Sequence, residues 1–167
     1  SGARNLSGTI SGFANVNLFS LTGEDILLSN ILVFDNTNVN VKLENVHFDA
    51  TNVPSGISTA VYVNNTGHFE SINSDVRNAP RGNLLVGGVN TVLGYGGDFS
   101  NAGKENFINS GVNIGVGLHL DSIVTRGRWY NPLANNCWQI GVFITGGIGS
   151  VCKDTVVYNA SVKGSKD

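Results

Sequence analysis

An apolar residue, any residue, an asparagine and then a small or β-branched residue recur along the chain, as Phe13-Ala14-Asn15-Val16, Phe34-Asp35-Asn36-Thr37, Val76-Arg77-Asn78-Ala79, Phe99-Ser100-Asn101-Ala102, Trp129-Tyr130-Asn131-Pro132 and Val157-Tyr158-Asn159-Ala160. A seventh copy, Phe48-Asp49-Ala50-Thr51, carries alanine for asparagine. The steps from Asn15 to Asn159 are 21, 14, 28, 23, 30 and 28 residues, about 24 on average. Val63-Asn64-Asn65-Thr66 and Phe107-Ile108-Asn109-Ser110 also fit the pattern but break the spacing, and are set aside. Periods of roughly 20 to 50 residues mark folds in which one structural unit stacks on the next.

The local chemistry selects the kind of unit. Helical repeats need runs of about ten or more residues with apolar spacing of three and four. Here the apolar segments are short, β-branched and often alternating, as in Val41-Lys42-Leu43-Glu44-Asn45-Val46-His47-Phe48 and Ile140-Gly141-Val142-Phe143-Ile144, which are strand patterns. Twenty-two glycines and 23 asparagines supply turn chemistry rather than helix chemistry. The reading is an all-β chain coiled into a parallel β-helix of about six to seven rungs, with a β-sandwich or jelly roll as the rival.

A length of 167 residues fits a single β-helix domain over 1–167. No methionine is present, and the chain is read as a fragment cut from a longer protein. Charged residues are 13% and the net charge is −2, which gives no basic field for nucleic acid and no polybasic segment for a membrane surface. No apolar run is long enough to span a membrane and no leader opens the chain, so no membrane insertion is expected. Cys137 and Cys152 lack a CxxC partner or a nearby histidine. Two buried free thiols are therefore expected over a zinc site or a disulfide. The glycine runs at 94–99 and 146–149 lack the Lys-Ser/Thr of a phosphate loop and read as turns. The calcium-binding nonapeptide is likewise missing, and no cofactor or metal is expected.

Successive residues of a strand face opposite ways. If the residue two before each asparagine points inward, those one and three before it point outward. His47, Asp49, Asp75, Arg77, Asp98, Ser100, Arg128 and Tyr130 then form one outer patch. Adjacent rungs are about 4.8 Å apart, which stacks Asp98 over Asp75 at that spacing and sets Asp49 diagonally about 8 Å from Asp75. Carboxylates separated by about 5–5.5 Å suit a retaining glycosidase, and about 6.5–9.5 Å an inverting one. Asp49, Asp75 and Asp98 are the candidate acid, base or nucleophile. His47, Arg77, Ser100, Arg128 and Tyr130 are candidate substrate-binding residues, with Tyr130 stacking on a sugar ring. A plainer reading of the same residues is a solvated face whose charges pair across rungs. His68 and Glu70 share a strand face and are a weaker acid–base pair. Trp129 falls in the inward column and is assigned to the core, while Trp138 is left open as core or sugar platform. Three Asn-x-Ser/Thr patterns, beginning at Asn5, Asn64 and Asn159, are unsurprising in so asparagine-rich a chain.

Runs such as Ile31-Leu32-Val33-Phe34-Asp35-Asn36 and Asn45-Val46-His47-Phe48-Asp49-Ala50 resemble rungs of the right-handed, pectin-lyase-like β-helix family, which includes bacteriophage tailspikes and other polysaccharide depolymerases. The likeness covers about residues 6–163 and is one of pattern, without a family-specific catalytic motif. It implies a carbohydrate partner, a surface polysaccharide, bound and in the sharper version cleaved by a glycoside hydrolase or polysaccharide lyase. It further implies a homotrimer and an extracellular or virion-tail location. The alternative is a non-catalytic shaft or adhesin segment of a virion or cell-surface fibre.

Overall fold

The computed structural model describes residues 4–11, 18–23, 25–35, 40–64, 66–103, 115–146 and 152–164. These contain fourteen strands and no helix, and every strand pairing among them is parallel. The all-β character expected from the sequence is present, and the antiparallel sandwich or jelly roll is not.

One sheet has six strands in the spatial order β2 (Leu18–Thr22), β4 (Asn40–Glu44), β7 (His68–Ile72), β10 (Thr91–Tyr95), β12 (Arg126–Tyr130) and β14 (Thr155–Tyr158). Following the register through Phe19, Val41, Phe69, Val92, Gly127 and Thr155, the chain returns to this sheet at steps of 22, 28, 23, 35 and 28 residues. We call it the first strip. The other sheet has eight strands: β1 (Arg4–Ser11), β3 (Asp25–Asp35), β5 (His47–Asp49), β6 (Thr59–Asn64), β8 (Asp75–Arg77), β9 (Gly82–Gly87), β11 (Val116–Asp121) and β13 (Ile140–Thr145).

Strand β3 belongs to two strips at once. Its start, Asp25–Leu27, pairs with β5, and its end, Leu32–Asp35, pairs with β6. The second strip runs from that start through β5 and β8. It continues through backbone bonds from Val76 N to Asp98 O (3.1 Å), Phe99 N to Leu133 O (2.7 Å) and Ala134 N to Ser161 O (2.9 Å). Its matched positions 25, 47, 75, 98, 133 and 161 repeat the steps of the first strip. The third strip stacks the end of β3 with β6, β9, β11 and β13.

Alternation decides which side chains are buried. Phe48, Val76, Phe99 and Ala134 of the second strip, Leu43, Phe69, Val92 and Trp129 of the first, and Phe34, Val63, Val86 and Leu120 of the third are each at most 3% exposed and form one core. Burying each large side chain contributes about 1.5–3 kcal/mol. The first strip ends in a corner residue with positive φ at Gly23 (65°), Asn45 (52°), Asn73 (46°), Gly96 (64°), Asn131 (56°) and Asn159 (51°). Glycine, and asparagine with its short polar side chain, adopt this left-handed conformation at little cost. Each corner N–H from Gly23 to Asn131 donates to the carbonyl that ends the next strand, as Asn73 N does to Tyr95 O at 2.7 Å. The corners therefore stack as the strands do.

The expected single repeat is corrected here. Positions 50, 78 and 101 lie on the second strip, Asn131 and Asn159 close the first, and Phe34 lies on the third, in register with Val63. Asn15 and Asn36 lie outside the described residues. The motif marks three different corners, and the set-aside Val63-Asn64 copy belongs to the same strip as Phe34.

Candidate functional site

The second strip carries the charged cluster. Register places His47 opposite Asp75 and Asp49 opposite Arg77, and the Val76 N to Asp98 O bond puts Asp98 next in the stack. Between these outward residues Phe48, Val76 and Phe99 anchor the backbone in the core. His47 Nδ1 meets Asp75 Oδ2 at 2.7 Å. The other oxygen of Asp75 accepts the backbone N–H of Asp98 at 2.8 Å. Arg77 stands between the two carboxylates, 4.0 Å from Asp75 Oδ2 and 3.8 Å from Asp98 Oδ2. Those distances make ion pairs without hydrogen bonds. Arg77 Nε is buried with no partner among the described residues, and the side chain is 43% exposed. Its donors are oriented by two negative charges and not consumed by them.

The three aspartates are not equivalent to a poised acid and base. Asp98 Oδ1 accepts the backbone N–H of Ser100 at 3.0 Å, a local turn bond. Asp49 Oδ1 accepts from Thr51 N (3.0 Å), Thr51 Oγ1 (2.6 Å) and Asn78 Nδ2 (3.2 Å). Burial pushes the Asp49 pKa up, but the hydrogen bonds from Thr51 and Asn78 and the charge of Arg77 outweigh it, and the net shift is below the usual carboxylate value. A general acid needs the opposite shift. Asn101 Nδ2 donates to Asn78 Oδ1 at 3.0 Å, so an amide chain continues along the strip beside the charged one.

Three of the sequence-predicted residues do not join this cluster. Ser100 is only 6% exposed, and its Oγ accepts the backbone N–H of Asn135 at 2.9 Å, so its hydroxyl is committed to the neighbouring strand. Arg128 and Tyr130 lie on β12 in the first strip, because their motif copy marks a different corner from those of Asp49, Asp75 and Asp98. Arg128 is bound to Asp154, donating to Oδ1 at 2.8 Å and to the backbone carbonyl. Arg126 Nε reaches Asp154 Oδ2 at 3.4 Å. Tyr130 is sandwiched between Tyr95 (centroids 5.1 Å apart, planes at 12°) and Tyr158 (4.8 Å, 7°). Both ring faces are covered, so Tyr130 cannot stack on a sugar and offers only its edge and hydroxyl.

The weaker candidates resolve as follows. His68 and Glu70 share the outward face of β7, and His68 Nδ1 meets Thr91 Oγ1 at 2.6 Å. Trp129 is fully buried, and Trp138 is half-buried, its backbone N–H bonded to Ala102 O at 2.8 Å. Gly96 and Gly97 form a turn with positive φ, while residues 147–149 of the second glycine run lie outside the described residues. Both cysteines are free. Cys137 is buried as expected, and its thiol is pushed up in pKa by that burial, but Cys152, also expected to be buried, is half-exposed beside Thr155 Oγ1 at 3.3 Å. An exposed thiol reacts and a buried, protonated one does not. One thiol is therefore expected to react with a disulfide reagent in the folded protein and the second only in denaturant; two fast thiols would contradict this placement.

Sequence reasoning missed a second polar cluster on the third strip. His119 Nε2 meets Thr145 Oγ1 at 2.8 Å, and Thr145 Oγ1 donates to Asp121 Oδ1 at 3.1 Å. The alternation Gly117-Leu118-His119-Leu120-Asp121, which puts His119 and Asp121 on one face, was the available signal. No metal-binding group of three or more His, Cys, Asp or Glu occurs among the described residues. No protein-family model, curated protein or solved structure is significantly similar to the chain.

Proposed function

We propose that the three strips are the faces of a right-handed parallel β-helix, and that its second strip binds a surface polysaccharide as part of an extracellular or virion-borne fibre. The observation that carries this reading is Arg77, a half-exposed guanidinium aligned by Asp75 and Asp98 but hydrogen-bonded to neither. Such a group offers several donors in a fixed fork to hydroxyl or carboxylate oxygens of a sugar. His47 and Asp75 beside it, with the Asn78–Asn101 amides one row away, supply both donors and acceptors at the spacing of the backbone ladder. Held by paired strands, they lose little freedom on binding.

Binding without cleavage is the version the geometry favours. Each of the three aspartates spends an oxygen on a backbone N–H, and the Asp49 carboxyl is shifted away from a general acid's range. Screening against bacterial surface polysaccharides should find a ligand whose affinity falls about tenfold or more in Arg77→Ala, since charged hydrogen bonds are worth roughly 1.5–3 kcal/mol. The same substitution should leave folding stability within about 1 kcal/mol, the usual worth of exposed ion pairs. No new reducing ends should appear. Unchanged affinity in Arg77→Ala would remove the second strip from the reading, and no ligand at all would leave the shaft.

A further inference from the structure

A cavity of about 450 Å³ opens on the third strip, and Arg77 is not among its lining residues. Its size falls within the range of small-molecule sites, about 300–1,000 Å³. Leu85, His119 and Phe143 occupy one row of its wall on successive strands β9, β11 and β13. Val116 and Ile140, also in register with each other, extend the apolar lining. Gly82 lines it without adding a side chain. No Asp, Glu, Lys or Arg lines it, so nothing there would balance a charged guest.

Three polar groups in the lining, the Ser58 hydroxyl, the Gln139 carboxamide and one nitrogen of His119, remain open at this otherwise apolar site. Thr145 gives its only hydroxyl proton to Asp121, so it accepts from His119 Nε2. That fixes the neutral imidazole as the Nε2–H tautomer and leaves Nδ1 as a bare acceptor. Burial, partly opposed by the charge of Asp121, lowers the His119 pKa and favours this neutral form. Nδ1 has no hydrogen-bond partner among the described residues, and neither has the carboxamide of Gln139 in the lining. Phe143 packs against the imidazole with centroids 4.8 Å apart and planes at 34°. The walls are thus aromatic and aliphatic, with an acceptor set among them.

From this juxtaposition we infer that the third-strip cavity is a binding site for a compact, neutral aromatic alcohol, with the hydroxyl donating to His119 Nδ1 and the ring lying among Leu85, Val116 and Phe143. Binding here does not depend on the second strip and would survive loss of glycan binding there.

The probes are 2-naphthol and 2-methoxynaphthalene, which share the ring system and differ in the donor. Titrated into the folded protein, 2-naphthol should shift the His119 imidazole resonances and bind about tenfold more tightly than the methyl ether, the worth of one hydrogen bond. His119→Phe should bring the two affinities together, and Leu85→Trp, which fills the cavity, should abolish both. Equal affinities in the wild-type protein, no change at His119, or a preference for 2-naphthol that persists in His119→Phe would overturn the inference.

Discussion

Gly94→Ala is expected to destabilise the chain by about 3 kcal/mol or more, the upper end of what overpacking a core costs. A Cβ on Gly94 would lie 2.1 Å from Trp129 Cδ2, 2.3 Å from Cε2 and 2.6 Å from Cε3, all inside van der Waals contact. The indole has no room to yield. Trp129 is fully buried, its Nε1 donates to Gly96 O at 2.9 Å, and its ring packs edge-on against Phe99 at 5.4 Å and tilted against Phe69 at 6.3 Å. Register places Gly94 opposite Trp129, so the missing side chain on one strand is the space filled by the next. Trp129→Ala should cost about 3–5 kcal/mol by leaving a cavity. In that background Gly94→Ala should cost almost nothing, because alanine suits a strand better than glycine by roughly 0.5–1 kcal/mol. Urea unfolding of the four proteins in this cycle measures the coupling; simple additivity would show that the two residues do not meet.

Asn83→Ala should cost about 2–4 kcal/mol although it removes no apolar group. Asn83 is completely buried, and its side chain works in two directions. Oδ1 accepts the backbone N–H of Ala79 at 3.0 Å, and Nδ2 donates to Phe99 O at 2.6 Å and Ser100 O at 2.9 Å. The two carbonyls keep other donors, Cys137 Sγ and Asn78 N. Ala79 N has no other acceptor among the described residues, and a buried group left unpaired costs roughly 1–3 kcal/mol. Asn83→Asp should fare no better than alanine, because it keeps the acceptor for Ala79 but turns a carboxylate toward two carbonyl oxygens. If Asn83→Asp were as stable as wild type in urea unfolding, the amide would not be bridging the second and third strips.

Much of this architecture was legible because strand alternation and corner chemistry are local. Phe48, Val76 and Phe99 were identified as inward, and all three are buried. Their outward neighbours His47, Asp75, Asp98, Asp49 and Arg77 do meet on one strip. What failed was the assumption of one corner per repeat. Three corners per repeat draw on the same asparagine and glycine preference, so a motif search cannot tell Asn101 from Asn131. Arg128 and Tyr130 therefore share the motif of the second strip but lie on the first. Ser100, expected on the outer patch, is buried instead, its hydroxyl bound by Asn135, 35 residues later, a contact with no local signature. Tyr130 lost its stacking role for a similar non-local reason, since Tyr95 and Tyr158 become its neighbours only through the register. The His119 cavity was invisible because its walls come from β9, β11 and β13, which are far apart in sequence.

The parallel stacking on which every strip depends is tested most directly by paired cysteines on the outward face of the first strip, in a Cys152→Ser background. Lys42 lies opposite Glu70, and Glu70 opposite Leu93. Adjacent strands are about 4.8 Å apart, within the roughly 4.4–6.8 Å that a disulfide spans between Cα atoms, and alternate strands are not. Mild oxidation followed by peptide mapping should give a bond in Lys42→Cys/Glu70→Cys and none in Lys42→Cys/Leu93→Cys. The reverse pattern, or no bond in either, would contradict the stack and with it the strip that places Arg77 between Asp75 and Asp98.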